Sequence, residues 1–321
     1  MSSPSILIVG ATGNTGVGVV KTLVSNLASS PFAQHKLIAL TRDASGKTAK
    51  ELASLSDNVE VVEKNWTAID SDWLKERQVR RLFIASHNGV THFVDESLFL
   101  NYALEAGVEY AVRISTTSFA VGAASSIWYG RSHWAVEAML DDPDFKSMKW
   151  TSLQPNIFHA YCYPALVQWL ETYRKTGEKG TLKLPFDADA GLAPIDGTEV
   201  GNIAGLLLLT PASDVAKHSG KRYVLTGPSD ITGKESVQLL EKHAGTSVDD
   251  VVFRDASMIH AMKGPMYPDN TIHSLATNLN IGWDGQLSVK RHSTSKEVLE
   301  FYQPKIGAKE AYDEALAAVS K

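Results

Sequence analysis

The chain has 321 residues, a formal net charge of −5 and 44% hydrophobic residues. That length can bury a large core, in one big domain or two coupled ones. The mixed, slightly acidic charge shows no basic run, which argues against a nucleic-acid surface, and no apolar run approaches a membrane span. The single cysteine, Cys162, excludes an intrachain disulfide and fits a reducing compartment. The opening Met-Ser-Ser-Pro has no signal-peptide pattern. A cytoplasmic protein acting on a small-molecule substrate, as monomer or homodimer, is the expectation. No repeat or low-complexity segment appears.

The first element is the most informative. The run Ser5-Ile-Leu-Ile-Val-Gly10-Ala-Thr-Gly13-Asn-Thr-Gly16 leads into an apolar segment over residues 17–27. This reads as buried strand, tight turn and helix. Gly10 allows the sharp exit from the strand. Gly13 lets a pyrophosphate approach the backbone, and Gly16 lets the helix pack close. The N–H groups of the helix N-terminus, with Thr12, Asn14 and Thr15 beside them, would hold the phosphates.

Further strands are predicted at residues 37–40, 59–62, 81–85, 110–114 and 150–153, each short, apolar and bounded by turn residues. Helices are predicted at 94–106, ended by Gly107, and at 129–140, stopped near Asp141-Asp-Pro143. Such alternation implies a doubly wound parallel sheet with helices on both faces and ligands at the carboxyl ends of the strands. In the second half, 165–175 reads as an amphipathic helix. Strands are expected at 193–196 and 222–226, and helices at 200–209 and 235–244. The domain expectation is a dinucleotide-binding domain over 1–155, to which 193–226 returns. Residues 156–192 and 227–321 then form a smaller C-terminal α/β substrate lobe.

Thr41-Arg42 stands just past the second strand, where the adenosine ribose is read. A carboxylate there accepts from the 2′-hydroxyl, whereas an arginine meets a 2′-phosphate through two parallel hydrogen bonds. Arg42 therefore favours NADP(H) over NAD(H), with Asp43 turned away if the strand continues. No zinc spacing, P-loop or nucleophile elbow occurs, so no metal is expected.

Several landmarks fall in the order of one family. They are Gly10-Ala-Thr-Gly13-Asn-Thr-Gly16, Ala39-Leu-Thr-Arg42-Asp, Glu105-Ala-Gly-Val-Glu-Tyr-Ala-Val-Arg-Ile-Ser115, Leu153-Gln-Pro155-Asn-Ile-Phe158, Pro194-Ile-Asp196 and Tyr223-Val-Leu-Thr-Gly-Pro228. Together they resemble the NmrA-like branch of the atypical short-chain dehydrogenase/reductases, over nearly the whole chain. The resemblance implies a Rossmann-type sheet with NAD(P) and a variable substrate lobe. It covers both reductases and cofactor-sensing regulators without turnover. It also implies that Ser86 and His87 line the adenosine and ribose, and that Ser115, a candidate cofactor contact, closes the fifth strand where the family often carries a substrate-binding serine. Pro155 and Asn156 would lie near the carboxamide.

Short-chain reductases usually carry Tyr-x-x-x-Lys on a helix, one turn apart. The matching stretch here is Tyr129-Gly-Arg-Ser-His133-Trp-Ala-Val-Glu137, with His133 in the lysine position. Tyr129 and His133 are the catalytic candidates. An imidazole with an ordinary pKa near 6.5 lowers a tyrosine pKa far less than a lysine does. His133 is therefore the general acid or proton relay itself, or a ribose anchor while the substrate supplies its own proton partner, as an imine or polarised alkene could, or part of a site that binds NADP(H) without chemistry. Thr116, thirteen residues before Tyr129, together with Phe158, His159 and Tyr161, forms the candidate substrate pocket. That pocket suits a planar aromatic or polycyclic ligand. Trp169, on its amphipathic helix, reads as core. The function expected is an NADP(H)-dependent reductase, with a non-catalytic NADP(H)-sensing regulator as the alternative.

Overall fold

A computed structural model describes residues 3–319. The strands are β1 (Ser5–Val9), β2 (Lys36–Thr41), β3 (Val59–Glu63), β4 (Val79–Ile84), β5 (Tyr110–Ile114), β6 (Lys149–Pro155), β7 (Leu182–Lys183), β8 (Lys221–Leu225) and β9 (Val251–Val252). The helices are α1 (Gly16–Asn26), α2 (Lys47–Ala53), α3 (Ser71–Glu76), α4 (His92–Glu105), α5 (Trp128–Leu140), α6 (Pro164–Thr176), α7 (Gly197–Leu208) and α8 (Gly233–Ala244). They continue with α9 (Ser257–His260), α10 (Asp269–Thr277), α11 (Leu279–Trp283), α12 (Lys296–Leu299) and α13 (Ala308–Ala317). No helix among the described residues is long and apolar enough to cross a membrane.

Seven strands form one sheet in the order β3-β2-β1-β4-β5-β6-β8. The pairs β1–β2, β1–β4, β2–β3, β4–β5 and β5–β6 are parallel. This is the doubly wound Rossmann-type α/β fold expected from the alternation. Every residue of β1 is buried, as a strand covered on both faces requires. The strand order reverses between β1 and β4, so a crevice opens at their carboxyl ends.

Residues 193–196 do not form the predicted strand. Only isolated bridges occur there, Leu192 with Ile231 and Ile195 with Phe158. Pro194, between them, has no N–H to give a ladder. The predicted strand over 81–85 is displaced: β4 starts at Val79 and ends before Ala85. The short helices α2 and α3 were not predicted, since their sequences carry little apolar periodicity.

The chain divides into two compact units. The first holds the chain through Thr116, Arg131–Gln154 and Gly197–Tyr223. The second holds Thr117–Gly130, Pro155–Asp196 and the chain from Val224. In the first unit Leu7, Val9, Leu40, Leu82, Ile84, Phe99, Val136 and Trp150 share one core. There α7 lies against α1 through glycines. A Cβ on Gly201 would sit 2.0 Å from the Thr15 carbonyl oxygen, and one on Gly18 would sit 2.2 Å from that of Thr198. In the second unit Leu166, Trp169, Leu170, Leu184, Leu240, Tyr312 and Leu316 share a separate core. Trp169 is core, as its helix pattern predicts.

Candidate active site

Gly10 leaves β1 with φ +79°, a conformation that L side chains rarely adopt. The N–H of Gly13 donates to the Gly10 carbonyl at 3.0 Å. A Cβ on Gly16 would stand 2.1 Å from that same oxygen, so only glycine lets α1 start this close to the turn. Gly13 differs. It is exposed, and a Cβ there would meet only the Gly10 oxygen, at 3.3 Å. The space outside Gly13 is open, and a larger side chain would occupy it. Helix α1 has no acidic residue in its first turn, and Thr15 gives no side-chain cap. Its positive end is thus not matched by a local carboxylate, which suits a bound anion. Thr12 Oγ1 lies 3.2 Å from Thr41 Oγ1, tying the turn to the end of β2.

Arg42 follows β2 and is exposed, with no ion pair or side-chain hydrogen bond among the described residues. Asp43 is occupied elsewhere: its carboxylate accepts from the Ser45 N–H and the Ser45 hydroxyl. Those bonds hold its pKa below the usual carboxylate value, with the Ser45 hydroxyl the leading cause. The guanidinium is therefore available to a ligand while the neighbouring acid is turned into its own loop.

After β4 the chain is held by side chains of α4. The Ser86 hydroxyl donates to Glu96 at 2.6 Å. His87 Nδ1 accepts from the Gly89 N–H, which leaves its Nε2–H to donate to Asp95 at 3.0 Å. Sequence reasoning offered Ser86 and His87 as ligand contacts. The structure gives both of them protein partners.

The centre of this region is Arg113, one residue from the end of β5 and fully buried. Its Nε and Nη2 fork onto the two oxygens of Glu96 at 2.6 and 3.2 Å. Nη2 also donates to His133 Nδ1 at 2.9 Å. Nη1 reaches Ser152 Oγ at 3.1 Å and Glu137 Oε1 at 3.4 Å. Glu137 in turn accepts from Ser152, Gln154 and Arg222. The Glu96 carboxyl is held well below its ordinary pKa: burial opposes ionisation, but Arg113 and the His92 hydrogen bond outweigh it. His92 Nε2 donates to Glu96 at 2.6 Å, and the His92 ring lies 4.4 Å from that of His133, centroid to centroid.

His92, Glu96 and His133 each place a ligand-type atom within 4.8 Å of the others. The Arg113 guanidinium is bonded to two of the three and already supplies positive charge there. Burial first, then His92 and Arg113, hold the His133 pKa well below its ordinary value. The ring is neutral. Nδ1 must be the acceptor, because a guanidinium can only donate. Nε2 therefore carries the proton and donates to Asn88 Oδ1 at 3.1 Å. Sequence reasoning missed Arg113, Glu96 and His92. The available signal was a charged residue inside an apolar strand and another on the apolar face of a helix.

At the end of β5, Ser115 is buried and its hydroxyl has no hydrogen-bond partner. Thr116, next to it, is half-buried.

In the second unit, the Tyr129 phenol accepts from Asn278 Nδ2 at 2.6 Å. Its ring packs with Ala120, Ile127, Leu275 and Ile281. Gly130 beside it is required, since a Cβ there would lie 2.0 Å from the Ala120 oxygen. Pro155 is buried at the end of β6. The Asn156 amide is fully engaged: it donates to the Ala193 and Leu287 carbonyls and accepts from the Ile157 N–H. His159 is buried and donates from Nε2 to the Pro194 carbonyl at 2.9 Å. Burial lowers its pKa. Phe158 is half-buried, with its ring 6.1 Å from that of the exposed Tyr161.

The NmrA-like family model matches residues 2–312. No curated protein matches the chain. Among solved structures, Citrobacter sp. triphenylmethane reductase complexed with NADP(H) superposes with a TM-score of 0.67 at 21% identity, covering 97% of this chain and 99% of that one. An NADPH-dependent quinone oxidoreductase from Escherichia coli gives a TM-score of 0.67 at 21% identity, with 96% and 98% covered. NmrA, a negative transcriptional regulator, gives 0.65 at 14% identity, with 98% and 96% covered. At these identities the likeness of the three structures concerns the fold. The family match spans nearly the whole chain, and with the glycine turn opening the sheet it leads to one assignment: this chain belongs to the NmrA-like family.

Proposed function

We propose that this chain is an NADP(H)-dependent reductase of a small hydrophobic, aromatic or polycyclic molecule that needs no proton from the protein. The cofactor part rests on the glycine turn and its surroundings. The open space at Gly13 and the unmatched start of α1 fit a pyrophosphate. Exposed Arg42 fits a 2′-phosphate, and the partnerless buried hydroxyl of Ser115 fits a ligand that would complete its hydrogen bonding. When bound, the nicotinamide supplies the hydride.

The substrate part is carried by one observation, the hydrogen bond from Arg113 to His133 Nδ1. The lysine position of the family's motif holds a buried imidazole kept neutral. A neutral imidazole lends no charge to lower a tyrosine pKa and gives up its remaining proton only at very high pH. It can still donate from Nε2 to a ribose hydroxyl. Reduction of a simple ketone needs a proton donor at oxygen. Reduction of a triarylmethyl cation is completed by hydride alone, and a quinone takes its proton from water afterwards. The two reductases of similar fold are named for triphenylmethane dyes and for quinones, which supports this substrate class.

The same missing lysine favours a second reading, an NADP(H)-responsive regulator. A panel of cationic triarylmethane dyes, quinones and aromatic ketones, followed by loss of reduced nicotinamide, separates the two. Turnover of dyes or quinones but not ketones is expected. Ketone turnover that depends on the Tyr129 hydroxyl would overturn the substrate class. Tight NADPH binding with no turnover of any member would establish the regulator.

A further inference from the structure

Arg113 has a stronger claim on the site than a structural ion pair would need. A guanidinium has five N–H donors, and here each has a partner: two on the Glu96 oxygens, one on His133 Nδ1, one on Ser152 and one on Glu137. The partners come from α4, α5 and β6, so three elements fix one planar group. The group cannot rotate without breaking several charge-assisted bonds in a dry interior. A lysine in its place would offer three donors and no fork.

We propose that Arg113 is a positioning residue that selects the tautomer of His133, holding Nδ1 as acceptor so that Nε2–H faces outward as a fixed donor. The outward side is the Asn88 side. Asn88 is exposed and accepts from Nε2, so a ligand hydroxyl that displaces the Asn88 side chain finds a preset donor rather than a ring that must choose. Glu96 sets the plane of the guanidinium and thereby acts on His133 at second hand. It also receives the Ser86 hydroxyl, so one carboxylate orders both the imidazole and the loop after β4. The charged and titratable groups facing His133 are Arg113 and Glu96, with His92 packed on its ring, and Glu137 behind Arg113. The family's lysine would anchor a ribose by charge. Here a neutral donor of fixed direction takes that place. The ribose role rests on the function proposed above, whereas the tautomer does not.

The test is nitrogen-15 NMR of the histidine rings in the full chain without cofactor, over pH 5.5 to 8 on the scale of ordinary histidine titration. His133 is expected as the Nε2–H tautomer throughout, and Arg113→Gln is expected to release it to a tautomer mixture that titrates. NADPH affinity should then fall about tenfold, equivalent to about 1.4 kcal/mol, and gain a pH dependence beyond that of the 2′-phosphate itself, whose second ionisation at about pH 6 acts in the unaltered chain too. His133→Gln, which keeps a donor near the Nε2 position, should retain affinity within about threefold; His133→Leu should not. An Nδ1–H or doubly protonated ring in the unaltered chain overturns the proposal even if Arg113→Gln fails to fold. So does an unchanged tautomer in a folded Arg113→Gln. Absence of NADPH binding to the unaltered chain, with the tautomer as expected, leaves the positioning role standing and overturns the function instead.

Discussion

Arg42 and Asp43 are neighbours of opposite charge with different fates. The acid is tied to Ser45 and the guanidinium is left exposed, so the pair favours a phosphate at the ribose despite the adjacent carboxylate. Loss of a bidentate charge-assisted contact costs on the order of 1.5–3 kcal/mol. Arg42→Ala should therefore weaken NADPH binding roughly ten- to a hundredfold and leave NADH nearly unchanged, by calorimetry with both nucleotides. Equal affinities for the two in the unaltered chain would remove the assignment. Gly13→Val fills the open space beside the turn. The variant should fold, by circular dichroism, and lose cofactor fluorescence enhancement. Retained binding would place the phosphates elsewhere.

At the scale of elements, the sheet positions the site and glycine sets how closely the helices approach. Helix α7 carries Gly197, Gly201 and Gly205 at intervals of four, on the face that meets α1. The start of α1 is thereby braced from behind while its N-terminus stays open in front. An added methyl at Gly201 has no room, and overpacking of this kind costs about 1–3 kcal/mol. Gly201→Ala should lower the urea midpoint accordingly. Gly122→Ala, where a Cβ meets nothing within 4 Å, should leave it unchanged or slightly raised. Equal effects in the two variants would contradict the packing account.

Across the whole molecule, most of the sheet was legible because its strands are continuous buried apolar runs between turn residues. Pro194 marked the failure at 193–196. The predicted strand there had the right composition but lacked a donor at its centre. The charged network was not legible for a different reason. Glu96, Arg113, His133 and Glu137 are dispersed along the chain and meet only because α4, β5 and α5 pack together. Their burial has a global consequence. His133 is held well below its ordinary pKa, so below pH of about 6.5 the unfolded chain binds a proton that the folded chain refuses. Stability then falls with acidification, at up to about 1.4 kcal/mol per pH unit from this group until its folded pKa is reached. Glu96, with its pKa also lowered, contributes stability above about pH 4.5 that is lost as pH falls further. Urea titrations from pH 7 to about 5 should show the first effect, and His133→Gln should make the slope shallower.

The most direct measurement of the central claim is the rate of NADPH oxidation by a cationic triarylmethane dye, using NADPH deuterated at nicotinamide C4, in the unaltered chain and in Tyr129→Phe. Deuterium is expected on the central carbon of the reduced dye, with a rate flat from about pH 6 to 8 where neutral His133 does not titrate, and little change in Tyr129→Phe. A rate that falls on the order of a hundredfold without the tyrosine hydroxyl, or that follows a single ionisation in this range, would contradict it.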